Sequence, residues 1–356
     1  MEYIILGGAQ PVLPILRGLA RQGKTVHTIC KEREIASRSK YGKKHILAES
    51  KDSVSIVKEI VSSTNSKVTC ILGSESYVKL VGALNEIKGL TVFAMDERSI
   101  LKLSDKVKLY KHAESLGLET LPANYLNEKH FENKLFPGIV KWSSNDDCEH
   151  ISKTTVVNTS IELLDLKNKI EERYHEKMVV QKLLSNYKSY SFGSIWKNGE
   201  LVDFCVVRQM RQYPLGITSS VSYISGVIEE NIKRRAMLLL KDFNPNGFIE
   251  IEFIENRTKF YVIDVNPRVW GWSPALTSKF AHSWGRLFNQ EGEKIEPPRN
   301  IYYRWVNVLR DIPAIIKSDL STKEKVLEVM KYFKKSTMLQ SIDLLDPRPE
   351  LSGILK

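Results

Sequence analysis

Between Gly247 and Arg268 the sequence reads GFIEIEFIENRTKFYVIDVNPR, two runs that alternate polar and apolar side chains about a turn near Arg257. Side chains alternate sides along a strand, so residues two apart share a face. With Arg257–Lys259 as the turn, Glu252 falls opposite Asp264 and Glu250 opposite Asn266. These four oxygen-bearing groups are expected on one face, with Ile249, Ile251, Phe253, Val262 and Val265 on the other. Three acids and an amide so placed repel one another unless a cation neutralises them. Hard oxygen donors suit Mg²⁺, with Mn²⁺ as the alternative, bound through one or two carboxylates plus nucleotide phosphates. Arg268, two positions beyond Asn266, offers a planar fork to a phosphate or acyl-phosphate oxygen. The competing reading is a solvated polar face of an antiparallel sheet.

The surrounding elements must hold this hairpin in place. Strand-like runs at 2–8, 25–30, 68–74 and 90–95 alternate with helical periodicity at 11–24, 53–63 and 76–89. That alternation predicts a parallel sheet with helices on both faces, binding ligands at the strands' carboxyl ends, near Gly7–Gly8 and Gly73–Glu75. Gly7-Gly8-Ala9-Gln10-Pro11 lacks the GxGxxG spacing and reads as a tight turn rather than a dinucleotide site. From Ser104-Asp105-Lys106 a helix runs to a glycine stop at Gly117. A strand (136–142), a polar loop, a second strand, a helix (160–177) and a third strand (178–184) then make a small α+β unit. A hairpin about Asn198-Gly199 and a helix at 229–243 precede the acidic hairpin. Amphipathic helices and a proline-containing tail follow from about 300.

VIDVNPRVWGWSPALTSKFA (262–281), with GFIEIEF (247–253) upstream, resembles the metal and phosphate motif of the ATP-grasp superfamily. The nearest likeness is to its carbamoyl-phosphate-synthetase-like and D-aspartate-ligase-like branches, and it holds in order over about 300 residues. The resemblance implies an α/β fold: an N-terminal Rossmann-like parallel sheet (the pre-ATP-grasp domain) followed by a two-subdomain α+β ATP-grasp fold. The expected boundaries are 1–104 for the first domain, 105–185 for the lid with its lead-in helix, 186–300 for the core with the metal site, and 301–356 for a helical C-terminal extension. It also implies an ADP-forming ligase, in which ATP phosphorylates a carboxylate and an amine displaces the phosphate. Such chemistry needs mainly positioning and charge neutralisation.

By the same resemblance Glu252 and Asp264 are the acidic Mg²⁺ ligands, Asn266 is the amide ligand, and Arg268 contacts phosphates and the acyl-phosphate. Lys106 is the first ATP lysine, and Lys141 meets the nucleotide phosphates. Gln181, Lys182, Leu183 and Leu184 form the hinge whose backbone meets adenine. Arg208 and Arg211 lie where related enzymes hold a substrate carboxylate, and Arg208 is favoured because it precedes a turn-prone segment. The chain also departs from the family pattern. Asp264 stands where Glu is commoner, and Trp142 where proline is frequent. The loop 143–150 has no glycine and three acids. The acid expected to hold the ribose is missing, SNYKSYS offering Lys188 and Ser189. The NPRVWGW turn, the RQYPLGI segment and the tail SIDLLDPRPEL look most like ATP-grasp proteins of bacterial cell-surface polysaccharide assembly. That likeness implies amidation of a sugar acid or an amino acid. The alternative is a non-catalytic nucleotide- or sugar-binding regulator that keeps the fold.

Composition narrows the rest. With 42% hydrophobic and 27% charged residues over 356 positions, a mainly disordered chain is excluded. No apolar run approaches the roughly 18 residues of a transmembrane helix. MEYIILGGAQ lacks a basic leader, and four scattered cysteines show no CxxC spacing, so a cytoplasmic protein without structural zinc is expected. The net charge of +11 concentrates in residues 17–44, nine basic against two acidic. The readings for that stretch are an anionic second substrate (a sugar or amino acid), the inner membrane leaflet, or a plain solvated surface. No RNP, KH or zinc motif supports nucleic acid. Small-molecule carboxylate and amine substrates are the expected partners, and a homodimer is the default assembly.

Overall fold

The structure, a computed structural model, describes residues 1–48, 52–143, 154–214, 216–273, 304–334, 336–339 and 343–354. Five strands, β1 (Glu2–Leu6), β2 (Thr25–Cys30), β3 (Lys43–Ile46), β4 (Val68–Leu72) and β5 (Leu90–Val92), form a parallel sheet in the order β3-β2-β1-β4-β5. Tyr3, Ile4, Ile5 and Leu6 have no exposed surface, as parallel strands covered on both faces require. Helices α1 (Leu13–Arg21) and α2 (Ser53–Ser62) lie as expected, whereas 76–89 divides into α3 (Glu75–Val78) and α4 (Val81–Asn85). Sequence reading missed β3, because Lys-Lys-His-Ile on a half-exposed edge has no apolar run to announce it. Gly7 (φ +106°) makes the turn after β1. A Cβ on Gly8 would sit 2.6 Å from that of Cys30, so this glycine pair is a close-packed turn.

Helices α5 (Glu97–Ser104) and α6 (Lys106–Ser115) lead to β6 (Glu119–Thr120) and β7 (Ala123–Tyr125). With β8 (Gly138–Trp142), β9 (Thr154–Val157) and β10 (Met178–Lys182), β7 builds a four-stranded sheet in the order β7-β10-β8-β9. Helix α7 (Ser160–Lys169) covers one face: Val140, Trp142, Val157, Leu163 and Val180 form its core. Ile139 and Lys141 alternate to the other face.

The main sheet contains β11 (Lys188–Lys197), β12 (Glu200–Gln212), β13 (Thr218–Ile224), β14 (Gly247–Asn256), β15 (Lys259–Asn266), β16 (Arg304–Val306) and β17 (Thr337–Leu339), in the order β17-β16-β13-β12-β11-β14-β15-β6. One face packs Ile249, Ile251 and Phe253 against Leu109 and Ala113 of α6 and Ala236 and Leu239 of α8 (Val227–Leu240). The other gathers Val207, Val221, Trp270, Trp272 and Trp305 with Val12, from the connection between β1 and α1, and Ile71 of β4, which ties the two sheets together. Gly193 makes room for this, since a Cβ there would lie 2.4 Å from the Trp270 ring.

The expectation of a separate helical extension from 301 needs correcting. Helices Val308–Ile316 and Thr322–Met330 are present, but β16 and β17 extend the main sheet through β13. Three-residue strands are too short to show periodicity.

Candidate active site

The acidic hairpin forms as its alternation predicts: Glu252 pairs with Asp264 and Glu250 with Asn266. A register shift follows Glu252, where Phe253 pairs with Val262. This bulge at Ile263 lets Val262 join Val265 in the core although it lies two residues from Asp264. Strict alternation could not have placed both. Glu250 is 5% exposed, and Trp272 Nε1 donates to its Oε1 at 2.6 Å. Asn266 Nδ2 donates to Glu250 Oε2 at 3.3 Å and reaches Glu252 Oε1 at 3.5 Å, while its Oδ1 accepts from Arg268 Nη2 at 3.1 Å. The amide thus holds the acids apart in the free protein. Offering its oxygen to a cation among them takes a half-turn of the amide group.

Burial pushes the Glu252 carboxyl up to about 8, with Glu250 and Asp264 adding to it. Burial also raises Glu250, against the pull of Arg268. Among the described residues, no three Asp, Glu, His or Cys side chains converge tightly enough to hold a metal by themselves. Two facing carboxylates short of charge compensation are nonetheless the donor set Mg²⁺ takes when phosphates complete its shell, so these residues fit the ion as part of a nucleotide complex.

Two lysines face this pair. Lys106, the first residue of α6 and 4% exposed, places Nζ 3.4 Å from Asp264 Oδ1 and 3.4 Å from the Ser143 carbonyl. Lys141, on the inward face of β8, is pushed down to about 8 by loss of water and then by Lys106, against Asp264 and Glu252. An ammonium held this way is short of anions, and phosphate oxygens supply them. The glycine-free loop beyond Lys141, with Cys148 in it, falls at 144–153, outside the described residues.

Arg268 lies across the domain boundary. Its Nε donates to Glu75 at 2.6 Å and its Nη1 to the Val269 carbonyl at 3.0 Å. With Asn266, three of its five N–H donors are committed and two remain for an oxyanion. Burial works against the guanidinium charge, but Glu75 outweighs it and raises the pKa. Sequence reading placed Glu75 at a ligand-binding strand end without assigning it a role. Trp272 and Tyr110 were missed. Tyr110 donates to the Ile263 carbonyl at 2.8 Å and accepts from Gln181 Nε2 at 2.6 Å, linking the bulge to β10.

At the expected hinge, the Lys182 amide donates to Pro122 O and the Leu183 amide to Pro137 O, while Lys182 Nζ caps the Phe136 carbonyl. Leu184 lies two residues beyond the end of β10. Lys188, at the expected ribose position, pairs with Glu255 at 3.3 Å.

Arg208 is not brought to the carboxylates. Its neighbour Gln209 bonds Ser191, which lies opposite Glu252, whereas Arg208 pairs with Tyr190 on the α8 face. A bulge after Gln209 sets Arg211 opposite Ser220, against the C-terminal helices. There its guanidinium is taken by Asp311 at 2.6 Å and Glu328 at 2.8 Å.

Residues 103–272 match the ATP-grasp domain family. The biotin carboxylase domain of Hydrogenobacter thermophilus 2-oxoglutarate carboxylase, solved with MgADP, ADP and bicarbonate, superposes with a TM-score of 0.67 at 13% identity, covering 85% of this chain and 73% of that one. The fold is that of the ATP-grasp proteins. N5-carboxyaminoimidazole synthetase from Staphylococcus aureus with ADP gives 0.59 at 16%, covering 75% and 70%. Pyruvate carboxylase from Rhizobium etli gives 0.62 at 14%, covering 78% of this chain but 28% of that one. No curated protein matches the chain. No helix among the described residues is long and apolar enough to cross a membrane.

The raised Glu252 carboxyl would make metal binding at this site pH-dependent. Its folded form keeps a proton that the unfolded chain has lost, so without metal this group's contribution to stability falls as pH rises from the carboxylate range through about 8. A cation bound there would displace that proton. MgADP binding at pH 7 is therefore expected to release about one proton and to tighten about tenfold per pH unit up to 8. Calorimetry in two buffers of different ionisation enthalpy reads this directly, and identical heats in both would count against it.

Proposed function

We propose that the protein is an ADP-forming ligase that activates a carboxylate as an acyl-phosphate and joins it to an amine. The observation that carries this reading is the facing of two surfaces. Glu252 and Asp264 project from the main sheet toward Lys106 and Lys141, with Arg268 at the end of the same row. Mg²⁺ with ATP would supply the phosphoryl group and neutralise its developing charge. Glu252 and Asp264 would hold the ion, with Asn266 turning its oxygen inward. Lys106 and Lys141 would fix the phosphates, and the two uncommitted N–H groups of Arg268 would bind the acyl-phosphate oxygens. Gln181–Leu184 would line the adenine. Arg208 has no role here, because it lies on the opposite face.

The biotin carboxylase domain holds MgADP and bicarbonate on this fold, and N5-carboxyaminoimidazole synthetase holds ADP, which supports the reaction class. The polysaccharide-assembly setting, with a sugar acid or amino acid as substrate, a cytoplasmic location and a homodimer, belongs to the same proposal and rests on the sequence resemblance. The test is ADP release with ATP, Mg²⁺ and panels of carboxylates and amines. Absence of ADP with every pair, together with no ATP binding by calorimetry, overturns the reading. The second reading, a nucleotide-binding regulator, is favoured by the pairing of Lys188 with Glu255 where a ribose-binding acid is expected. ATP binding without ADP release from any pair would select it.

A further inference from the structure

The basic stretch 17–44 takes no part in the site above, and most of its charge already has a partner. Arg17, 4% exposed, donates to Asp346 at 2.9 Å and Glu350 at 2.8 Å, and Arg21 reaches Asp343 at 2.5 Å. Asp346 also accepts from Ser39 Oγ and the Lys40 amide, so acids of the C-terminal tail cover this side of α1. Lys44 caps the carbonyls of Tyr41 and Gly42, Lys40 lies over the Tyr41 ring, Lys43 acts on Glu2, and Lys24 has contacts of its own. Lys31, Arg33 and Arg38 remain. Among the described residues none of these three has a side-chain hydrogen bond or ion pair.

All three line one cavity of about 840 Å³, with Glu32, Asp52 and Ser53. It opens at the carboxyl ends of β2 and β3, the end of a parallel sheet at which ligands bind. Ordered backbone presents the cations. Glu34 accepts from the Lys31 amide at 2.7 Å, the Ala36 amide donates to Gly8 O at 2.9 Å, and Ser37 Oγ donates to Glu32 O at 2.9 Å. The N-terminus of α2 opens on the same space and adds its partial positive charge. Its cap, Asp52, is turned to the helix by the amide and hydroxyl of Ser55. Three cations outnumber the two carboxylates that line the cavity, Glu32 and the helix-turned Asp52, which leaves it net positive and fit for an anion.

Strand order gives the site its relation to the reaction. From the β2–β3 gap, β1 and then β4 lead to Glu75 and Arg268; at ~4.8 Å per strand the separation is about 12 Å. We propose that this cavity binds a phosphate- or carboxylate-bearing end of the small molecule whose other end reacts at Arg268. The substrate class is then a metabolite with a second anionic group about 12 Å from its reacting group, by that same strand spacing. The link to Arg268 rests on the ligase reading; the anion site does not.

The full chain, saturated with MgADP, is titrated at low ionic strength with pyrophosphate and, separately, with citrate. At least one anion is expected to bind. Arg33→Glu with Arg38→Glu should weaken it tenfold or more while MgADP affinity and melting temperature stay unchanged. Reversal of two exposed cations elsewhere, Lys323→Glu with Lys334→Glu, should leave anion affinity as in wild type. No binding of either anion, unchanged affinity in the Arg33/Arg38 variant, or equal weakening in the control overturns the proposal. Failure of the ligase reading shows separately, as no ADP release with any substrate pair, and includes the case in which MgADP does not bind. The anions are then titrated without nucleotide, and the same comparison decides the cavity.

Discussion

Asp264→Asn is expected to abolish ADP formation, lowering the rate by about 10²–10³-fold or more at saturating MgATP. The substitution keeps the shape of the side chain and removes one negative charge from the pair that would hold the ion. Its effect on the fold should be small. The variant loses the contact with Lys106 at 3.4 Å but relieves the repulsion that helps push Glu252 up. A melting temperature close to wild type with lost turnover is the expected pair of results. Near-normal turnover in the variant would remove Asp264 from the metal site and with it the central assignment. Glu252→Gln should behave alike and should also cancel the proton released on MgADP binding.

The largest stability effect belongs to Arg211. Asp311 is fully buried and accepts from Arg211 Nε at 2.8 Å and Nη2 at 2.6 Å, from Ser219 Oγ at 2.8 Å and from Tyr332 at 2.5 Å. Glu328 adds bonds to Arg211 and to Arg304 at 2.6 Å. Arg211→Met leaves the Asp311 carboxylate buried without its main counter-charge, which costs about 3–5 kcal/mol. Arg208→Met, by contrast, should cost less than about 1 kcal/mol, in the range of partly exposed positions outside such networks. Urea midpoints of the two variants read the difference directly. Equal shifts would show that the network does not carry the C-terminal helices. Burial opposes the charge on Glu328, but its bonds to Lys331, Arg304 and Arg211 hold its pKa down to about 2. Its contribution is therefore present above the ordinary carboxylate range and lost as pH falls toward 2, and Arg211→Met should weaken that loss.

Much of the fold and part of the site were legible in the sequence. The opposition of Glu252 to Asp264 and of Glu250 to Asn266 followed from period-two alternation about one turn, which is local information. The alternation of strands and helices in the first hundred residues, and Lys141 among the apolar residues of β8, were legible for the same reason. The bulge at Ile263 was visible only as a contradiction, since Val262 and Val265 cannot both avoid the face of Asp264 in a regular strand.

What the sequence by itself determined, then, is the identity and facing of the carboxylates and the kind of layers that carry them. Tertiary structure alone decided which cations meet those carboxylates and which are spent elsewhere. Arg268 finds Glu75 across 193 positions, Arg17 finds Asp346 across 329, and Arg211 is neutralised by Asp311, 100 positions on. Local periodicity says which side of an element a residue faces. It says nothing about what another element, hundreds of residues away, will place against that side, and a long cation takes its role from the nearest anion it meets.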